Sequence, residues 1–510
     1  MQIANKIITD IDKLRDYAES LKAENKKISL CHGHFNVIHP GHLRFLEYAK
    51  KNSDILIVAI WGDDKIDRDV ADKFYKTDIR ARGVASLEFV NKVFIFSGID
   101  IIQLLETVKP QKLVMGEEFS NRLNELKNEI GTVEKHGGKV VFSSGDSSIL
   151  SSAELLDRSV SDIKLDRLSA FLNILSKYNI TVNRLNEIID NFKKVRLLVV
   201  GDTIVDSYVA CDAMGMSSEA PVIVLKEIDH KEYVGGAAVV ARHANSFGCE
   251  CCFVSVVGND FNSGLVRNSL SEEGIKFRLI SDDQRPTTFK IRYMAGPQKL
   301  LRVSRLVEQH IDQEKEKEII DYIESSIDNL DGIIVSDFSY GILTPAILDY
   351  ISALALKNKL KIFGDSQTSS QIGDILKFMN YFLIKPTEKE ARIALDDKYN
   401  GLEKLGNDLV KKTGVKNAVI SLGPEGFISF MPTENDRFIK TQHFPALNPY
   451  PIDVVGAGDS MLASFAVSSC AGADLIEASA ISAVVSSIAV GKMGNVPVSI
   501  SEIKEFLKDL

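Results

Sequence analysis

The sequence predicts two doubly wound, parallel-sheet α/β domains in one chain, the second with a small β lid. Three observations carry this. The chain has 510 residues, more than one core supports, since hydrophobic cores stop growing at roughly 250 to 300 residues. Two separate series of short apolar runs alternate with helical patterns, the signature of strand–helix–strand units. A polar stretch without strand-like runs stands between the two series.

The first series runs from Ile28 to Leu155, through "ISLC", "DILIVAIWGD", "KVFIF", "KLVMG" and "KVVFSS". Ahead of it, "MQIANKIITDIDKLRDYAESLKAENKK" is charged and helix-patterned, without the apolar centre of a signal peptide. The stretch "DRSVSDIKLDRLSAFLNILSKYNITVNRLNEIIDNFKK" then reads as a helical connector, not a flexible tether. The second series begins at "VRLLVVGD" and continues through "GIIVSD", "LKIFGD", "YFLIKP" and "AVISLG", closing with a Gly- and Ala-rich helical stretch from Gly456. Between Glu219 and Arg305, "APVIVLKEI" and "TTFKIRYMAG" interrupt the alternation and predict a small sheet used as a lid or dimer surface. The domain bounds are therefore read as 1–157, a connector over 158–192, and 193–510.

Composition narrows the function. With 45% hydrophobic and 26% charged residues the chain is a globular protein with ample core material. Its 61 basic and 70 acidic residues give a net charge of -9, so no basic field exists for nucleic acid or an acidic membrane, and any anion must be held locally. No segment approaches the roughly 20 apolar residues of a membrane helix. The six cysteines lack metal-finger spacing and read as free thiols of a cytoplasmic protein.

The stretch "CHGHFNVIHPGH" holds four of the nine histidines. A strand ending at Gly33 followed by a helix opened by "HPGH" puts His39 and His42 at a strand-to-helix corner, where backbone N–H groups and the helix dipole favour an anion. Zinc asks for a different His spacing on one helical face. The corner reads as a phosphate site, with His32 and His34 as neighbours.

"GHFNVIHPGH" resembles the G-x-F-D-x-x-H-x-G-H signature of the cytidylyltransferase-like nucleotidyltransferases, over residues 25 to 155. The resemblance implies a Rossmann-like domain with His39 and His42 catalytic. It also implies nucleotide or phosphate contacts from Gly33, Phe35, Arg80, Ser151 and Ser152, the serines in "LSSAE" doubling as helix caps. The family aspartate after Phe is Asn36 here.

In "PIDVVGAGDSMLASFA", Gly456, Ala457 and Gly458 open an apolar helix, so that successive N–H groups point into one concavity suited to a transferring phosphoryl group. Asp459 follows, placed to take a proton from an attacking hydroxyl. The stretch resembles the D-T-x-G-A-G-D signature of the PfkB or ribokinase family of sugar kinases. "GDTIVD", "GGAAVVA", "SDFSYGIL" and "SLGPEGF" extend the likeness over 195 to 510. The resemblance implies a ribokinase-like fold, Asp459 as base, Asp202, Asp206, Gly235 and Gly236 on the sugar side, and Gly423 and Gly426 near the nucleotide. Glu390 would act indirectly on magnesium (Mg2+). Lys290, Arg292 and Arg302, with Thr287, would hold a distal phosphate.

Within that family "SSEAPVIVLKE", "PTTFKIRYMAGPQKLLRVSR" and "AVGKMGN" resemble the bifunctional heptose-7-phosphate kinases and heptose-1-phosphate adenylyltransferases, here with the nucleotidyltransferase leading. That resemblance implies ATP and Mg2+, a sugar phosphate as substrate, ADP-heptose synthesis for surface polysaccharide, a homodimer through the kinase half, and a separate sugar bisphosphate phosphatase in the same pathway. Departures are Val239 for Asn in G-G-A-A-N, Thr387 for Asn in N-x-x-E, Gln367 for Lys and Val455 for Thr. Three readings stay open: the heptose route, a CTP-dependent nucleotidyltransferase making a CDP-sugar or CDP-polyol, and a kinase half that only binds ligand.

Overall fold

The computed structural model describes residues 3–36, 38, 40–51, 53–66, 74–116, 126–143, 160–296, 298–368, 373–431 and 440–510. Two compact units emerge, Met1–Asp162 with Asp396–Leu405, and Ile163–Leu395 with Gly406–Leu510.

In the first unit, strands β1 (Ile7–Ile8), β2 (Ile28–Gly33), β3 (Ile55–Trp61), β4 (Lys92–Phe96), β5 (Lys112–Gly116) and β6 (Lys139–Ser143) form one sheet. Its order is β1-β4-β3-β2-β5-β6, with every pairing parallel. Strand β3, "ILIVAIW", is apolar along its length because both of its faces are covered. Ile57 and Ala59 pack with Leu14 and Leu104 on one face, while Leu56, Val58 and Ile60 pack with Leu46 and Val84 on the other. The charged N-terminal stretch forms the helix Ile11–Ala23, capped by the Asp10 carboxylate, which accepts from the Asp12 and Lys13 N–H groups. The chain winds from β2 outward to β3 and β4, then returns to β5 on the other side of β2. Ligands of open α/β sheets sit outside the C-terminal strand ends at such a reversal.

The second unit begins with β7 (Arg196–Gly201), β8 (Thr203–Met216), β9 (Ile223–Gly236), β10 (Glu250–Gly258) and β11 (Lys276–Asp282). It continues with β12 (Thr288–Ala295), β13 (Gln298–Arg305), β14 (Gly332–Asp337), β15 (Lys361–Ser366) and β16 (Leu383–Ile384). It ends with β17 (Asn417–Ser421), β18 (Phe427–Met431) and β19 (Lys440–Phe444). A nine-stranded sheet, β11-β10-β7-β14-β15-β16-β17-β18-β19, is parallel as far as β17 and antiparallel over its last two pairings. Its winding reverses beside β7, so its crevice opens at the ends of β7 and β14.

The lid is the four-stranded sheet β13-β12-β8-β9. It starts earlier than the apolar runs after Glu219 indicate. Strand β8 begins at Thr203, two residues after β7 ends, and its Asp206 and Ser207 are buried, so polar side chains stand where a strand signal looks for apolar ones. The connector stretch forms the helices Val160–Lys177 and Val182–Asp190. Phe171, Ile174, Leu185 and Ile188 from them join Phe253, Phe465 and Val485 in the core of the second unit.

Candidate active sites

The second crevice is built around the helix Ala457–Cys470. Gly456 precedes it at φ 78°, in the left-handed region. A Cβ there would also stand 2.4 Å from Asn495 Oδ1, so glycine is required twice over. Asp453 braces the approach, accepting from Val455 N–H at 3.0 Å and Gly494 N–H at 3.1 Å. The first-turn N–H groups of such a helix have no intrahelical acceptor and face an anion naturally.

Asp459 is buried in that first turn. Its Oδ1 accepts from Gln367 Nε2 at 2.7 Å. Burial pushes its carboxyl up to about 6, against the pull of Lys385 and the Gln367 hydrogen bond. A carboxylate with a pKa near working pH is suited to general base catalysis.

Lys385, not among the residues singled out from sequence, completes this centre. It follows β16, is buried, and pairs with Asp365 at 2.9 Å. Burial works to lower its pKa, but Asp365, then Glu390 and Asp459, raise it on balance, so it keeps its proton. A Cβ on Gly458 would lie 3.3 Å from its Nζ, which places the ammonium beside the anion-facing turn. The signal in sequence was a lysine closing the apolar run "YFLI".

Glu390 has a different employment from a free ligand. Its two carboxylate oxygens accept from Thr368 N–H at 2.7 Å and Thr387 N–H at 2.8 Å, while Glu390 N–H donates to Thr387 Oγ1 at 3.2 Å. "TEKE" is thus a reciprocal capping box on the helix Glu388–Leu395. Any action on magnesium runs through its charge or through water.

Of the residues expected on the sugar side, the structure brings Asp206, Gly235, Lys290 and Arg292 together. Asp206 pairs with Arg292 at 2.5 Å, and Arg292 lies 5.0 Å from the Tyr208 ring. Lys290 is buried, in register with Asp206, and 5.1 Å from the Tyr340 ring. A Cβ on Gly235 would meet Asp206 Oδ2 at 2.5 Å, so this glycine makes room for the carboxylate. Gly236 has φ 68° and caps the helix Ala237–Ser246. Arg302 is opposite Arg292 in register, on exposed β13. Thr287 is held by Asp260 Oδ1, to which it donates, and accepts from Gly258 N–H.

Asp202 looks inward. Its Oδ2 accepts from Phe338 N–H at 2.8 Å and Tyr340 N–H at 3.4 Å, tying the loop after β14 to the end of β7. Burial and the neighbouring Asp337 push its carboxyl up to about 6. Gly423 and Gly426 flank the turn between β17 and β18 with φ 61° and 98°; a Cβ on Gly426 would fall 2.0 Å from Phe444 O.

In the first unit β2 ends at Gly33, and Phe35 turns the chain with φ 46°. Arg80 holds that turn. Its Nη1 donates to His34 O at 2.7 Å, Nε to Tyr75 O at 2.8 Å, and Nη2 to Asp63 Oδ1 at 2.9 Å and Thr77 Oγ1 at 3.0 Å. The guanidinium, expected at phosphate, is buried within this brace. Asn36 Oδ1 accepts from Tyr75 N–H at 2.8 Å, so the departure from aspartate fastens the same turn. His42 lies in the first turn of the helix Pro40–Lys50, its ring 5.1 Å from that of Phe35. His39, Ser151 and Ser152 lie outside the described residues.

A buried carboxylate at a glycine-capped helix start, under a β lid on a mostly parallel sheet, defines the class of sugar kinases with the ribokinase-like fold. Residues 194–501 match the profile described as pfkB family carbohydrate kinase, and the chain belongs to that family. Residues 30–163 match the cytidylyltransferase-like profile, so the nucleotidyltransferase type leads. The bifunctional protein HldE of Geobacter sulfurreducens is 31% identical over 314 residues, 61% of this chain and 62% of that protein. HldE of Campylobacter jejuni subsp. doylei is 30% identical over 321 residues, 62% of this chain and 65% of that protein. The match thus spans under two thirds of these relatives. Among solved structures, phosphofructokinase-2 from Escherichia coli in complex with potassium has a TM-score of 0.51 at 19% identity, covering 62% of this chain and 99% of that one. Arabidopsis thaliana ribokinase complexed with ribose and ATP has 0.50 at 18% identity, with the same coverage of 62% and 99%. These two establish the fold.

Proposed function

We propose that the chain makes a nucleotide-activated sugar in two reactions. The kinase half, residues 193–510, phosphorylates the anomeric hydroxyl of a sugar phosphate, heptose 7-phosphate, using ATP. The leading half, residues 1–157, transfers AMP from ATP to the sugar 1-phosphate and releases pyrophosphate. A separate phosphatase removes the distal phosphate between the two. The pairing of these domain types, together with relatives named bifunctional, supports the reading.

Asp459 is the observation that carries it. The Asp459 carboxylate takes the proton of the attacking hydroxyl as that oxygen bonds to the γ-phosphorus and the bond to ADP breaks. Phosphoryl transfer needs mostly positioning and charge stabilisation, and the first-turn N–H groups with the Lys385 ammonium supply the second. Lys290, in register with Asp206, and Arg292, paired with it, are the cations for a distal phosphate. Among the described residues no three His, Cys, Asp or Glu side chains are arranged to hold an ion directly. Magnesium commonly rests on substrate phosphates, waters and one or two carboxylates, and the Asp365, Glu390 and Asp459 charges around a single lysine fit such an ion. When bound it neutralises phosphate charge.

The lid exposes Met214, Met216, Val222, Ile223, Ile228 and Leu301, which supports a homodimer through this sheet. No helix among the described residues is long and apolar enough to cross a membrane, and six free thiols support a reducing cytoplasm. The test is ADP release from ATP with a panel of sugar phosphates, heptose 7-phosphate first, for wild type and Asp459→Asn. Turnover on heptose that vanishes in the variant is expected. Turnover only on another sugar overturns the heptose assignment, and silence across the panel overturns the kinase reading.

A further inference from the structure

We propose that His32 donates a hydrogen bond from Nε2 to an oxygen of the phosphorylated ligand at the end of β2, with Trp61 as its positioning residue. This rests on the nucleotidyltransferase reading of the first unit.

His32 and Trp61 occupy the C-terminal ends of adjacent parallel strands, in a register that pairs Gly33 with Ile60. The indole N–H of Trp61 donates to His32 Nδ1 at 3.3 Å, with the two ring planes 13° from parallel. A neutral imidazole accepts only at its unprotonated nitrogen, so this contact puts the proton of His32 on Nε2. Burial pushes the His32 pKa down to about 4, and the ring is neutral at pH 7.

That leaves a buried Nε2–H with no partner among the described residues. A buried donor left unmade is costly, and folded proteins rarely keep one without an employment. His34 repeats the pattern on the same indole. Its ring lies 4.7 Å from that of Trp61 and 5.2 Å from that of Phe74, and its Nδ1 is also buried and without a partner among the described residues. The two imidazoles thus flank one indole at the reversal of strand order, where α/β sheets hold their ligands.

The chemical class follows. A neutral N–H fixed in direction selects an acceptor oxygen without adding charge, and the ligand that offers acceptors alone on every side is a di- or triphosphate. Phosphate oxygens of the nucleotide, and of the pyrophosphate it leaves, are the fit.

Trp61 is the chain's one tryptophan, so its emission reads this unit within the intact 510-residue chain. Pyrophosphate with magnesium is titrated into wild type, His32→Ala and His32→Gln by fluorescence, and into Trp61→Phe by calorimetry. Expected are a change in Trp61 emission on binding and affinity about tenfold weaker for His32→Ala. A glutamine amide restores an N–H, so His32→Gln stays within about threefold of wild type. Nitrogen-15 histidine spectra of the full chain show His32 as the Nε2–H tautomer, its proton shifting when pyrophosphate is added. Equal affinity for wild type and His32→Ala, an Nδ1–H tautomer, or a His32 signal indifferent to pyrophosphate overturns the proposal. Exchange of labelled pyrophosphate into ATP and CTP separates the two readings. Exchange with unchanged binding in His32→Ala sinks the His32 assignment alone, whereas no exchange with either nucleotide in wild type sinks the nucleotidyltransferase reading.

Discussion

The two crevices differ in their electrostatics. In the kinase half, charge is buried at the centre: Lys385 and Asp365 pair out of solvent, and Asp459 sits in the same first turn that faces the anion. In the leading half, the one buried cation among the described residues, Arg80, is turned away into a brace, and the side chains at the strand ends are imidazoles that burial keeps neutral. The difference teaches where each half is vulnerable. Buried charge ties chemistry to protonation and to single side chains, whereas a braced turn ties it to shape.

Asp459→Asn tests the first half of that contrast most severely. Kinase kcat is expected to fall about a thousandfold, with pyrophosphate exchange by the leading half unchanged; an equal loss in both would remove the contrast. Lys385→Met should lower kcat about a hundredfold. It also strands Asp365, for a stability loss of about 3–5 kcal/mol, measured by urea unfolding; retained stability would mean the ion pair is not formed. Arg80→Ala should cost about 3 kcal/mol, seen as an earlier unfolding transition in Trp61 emission while kinase activity persists. A loss of nucleotide affinity without a loss of stability would instead put Arg80 on the phosphates.

The pH dependence sharpens the comparison further. The proposed base Asp459 would have to be ionised, so kinase kcat/KM should fall about tenfold per unit below pH 6. Its folded-state pKa is above that of an unfolded aspartate, so the folded chain takes up protons first. Asp459 and Asp202 therefore add stability as pH falls through about 6. An activity loss that tracks unfolding in this window would contradict the assignment. The smallest effect is expected at Thr387→Ala, which removes the cap for about 1 kcal/mol and leaves the magnesium dependence of the rate unchanged.

Much of this was legible in the sequence wherever the physics is local. Gly456 to Asp459 announce a glycine-capped helix start with a carboxylate in its first turn, and β3 announces itself by an unbroken apolar run. Side chains engaged by residues distant in sequence were not legible. Arg80 reads as a phosphate ligand because nothing nearby in the chain shows His34 O, Tyr75 O and Asp63 converging on it. Glu390 is the local exception: Thr387, three positions earlier, already carried its capping signal. Lys385 was hidden because its partner Asp365 lies on the neighbouring strand, and β8 because its buried face is polar.

The lid is anchored where its β8–β9 hairpin meets the main sheet. It leaves the main sheet at Asp202 and returns at Gly236, and these two ends are stitched together: Thr203 pairs with Gly236, and Ala237 N–H donates to Asp202 O at 2.9 Å. A Cβ on Gly236 would stand 2.3 Å from that same oxygen, leaving little slack at the joint. The joint thus anchors the near end of the flap, beside Asp206, to the main sheet, while its far rim exposes Met214 and Met216.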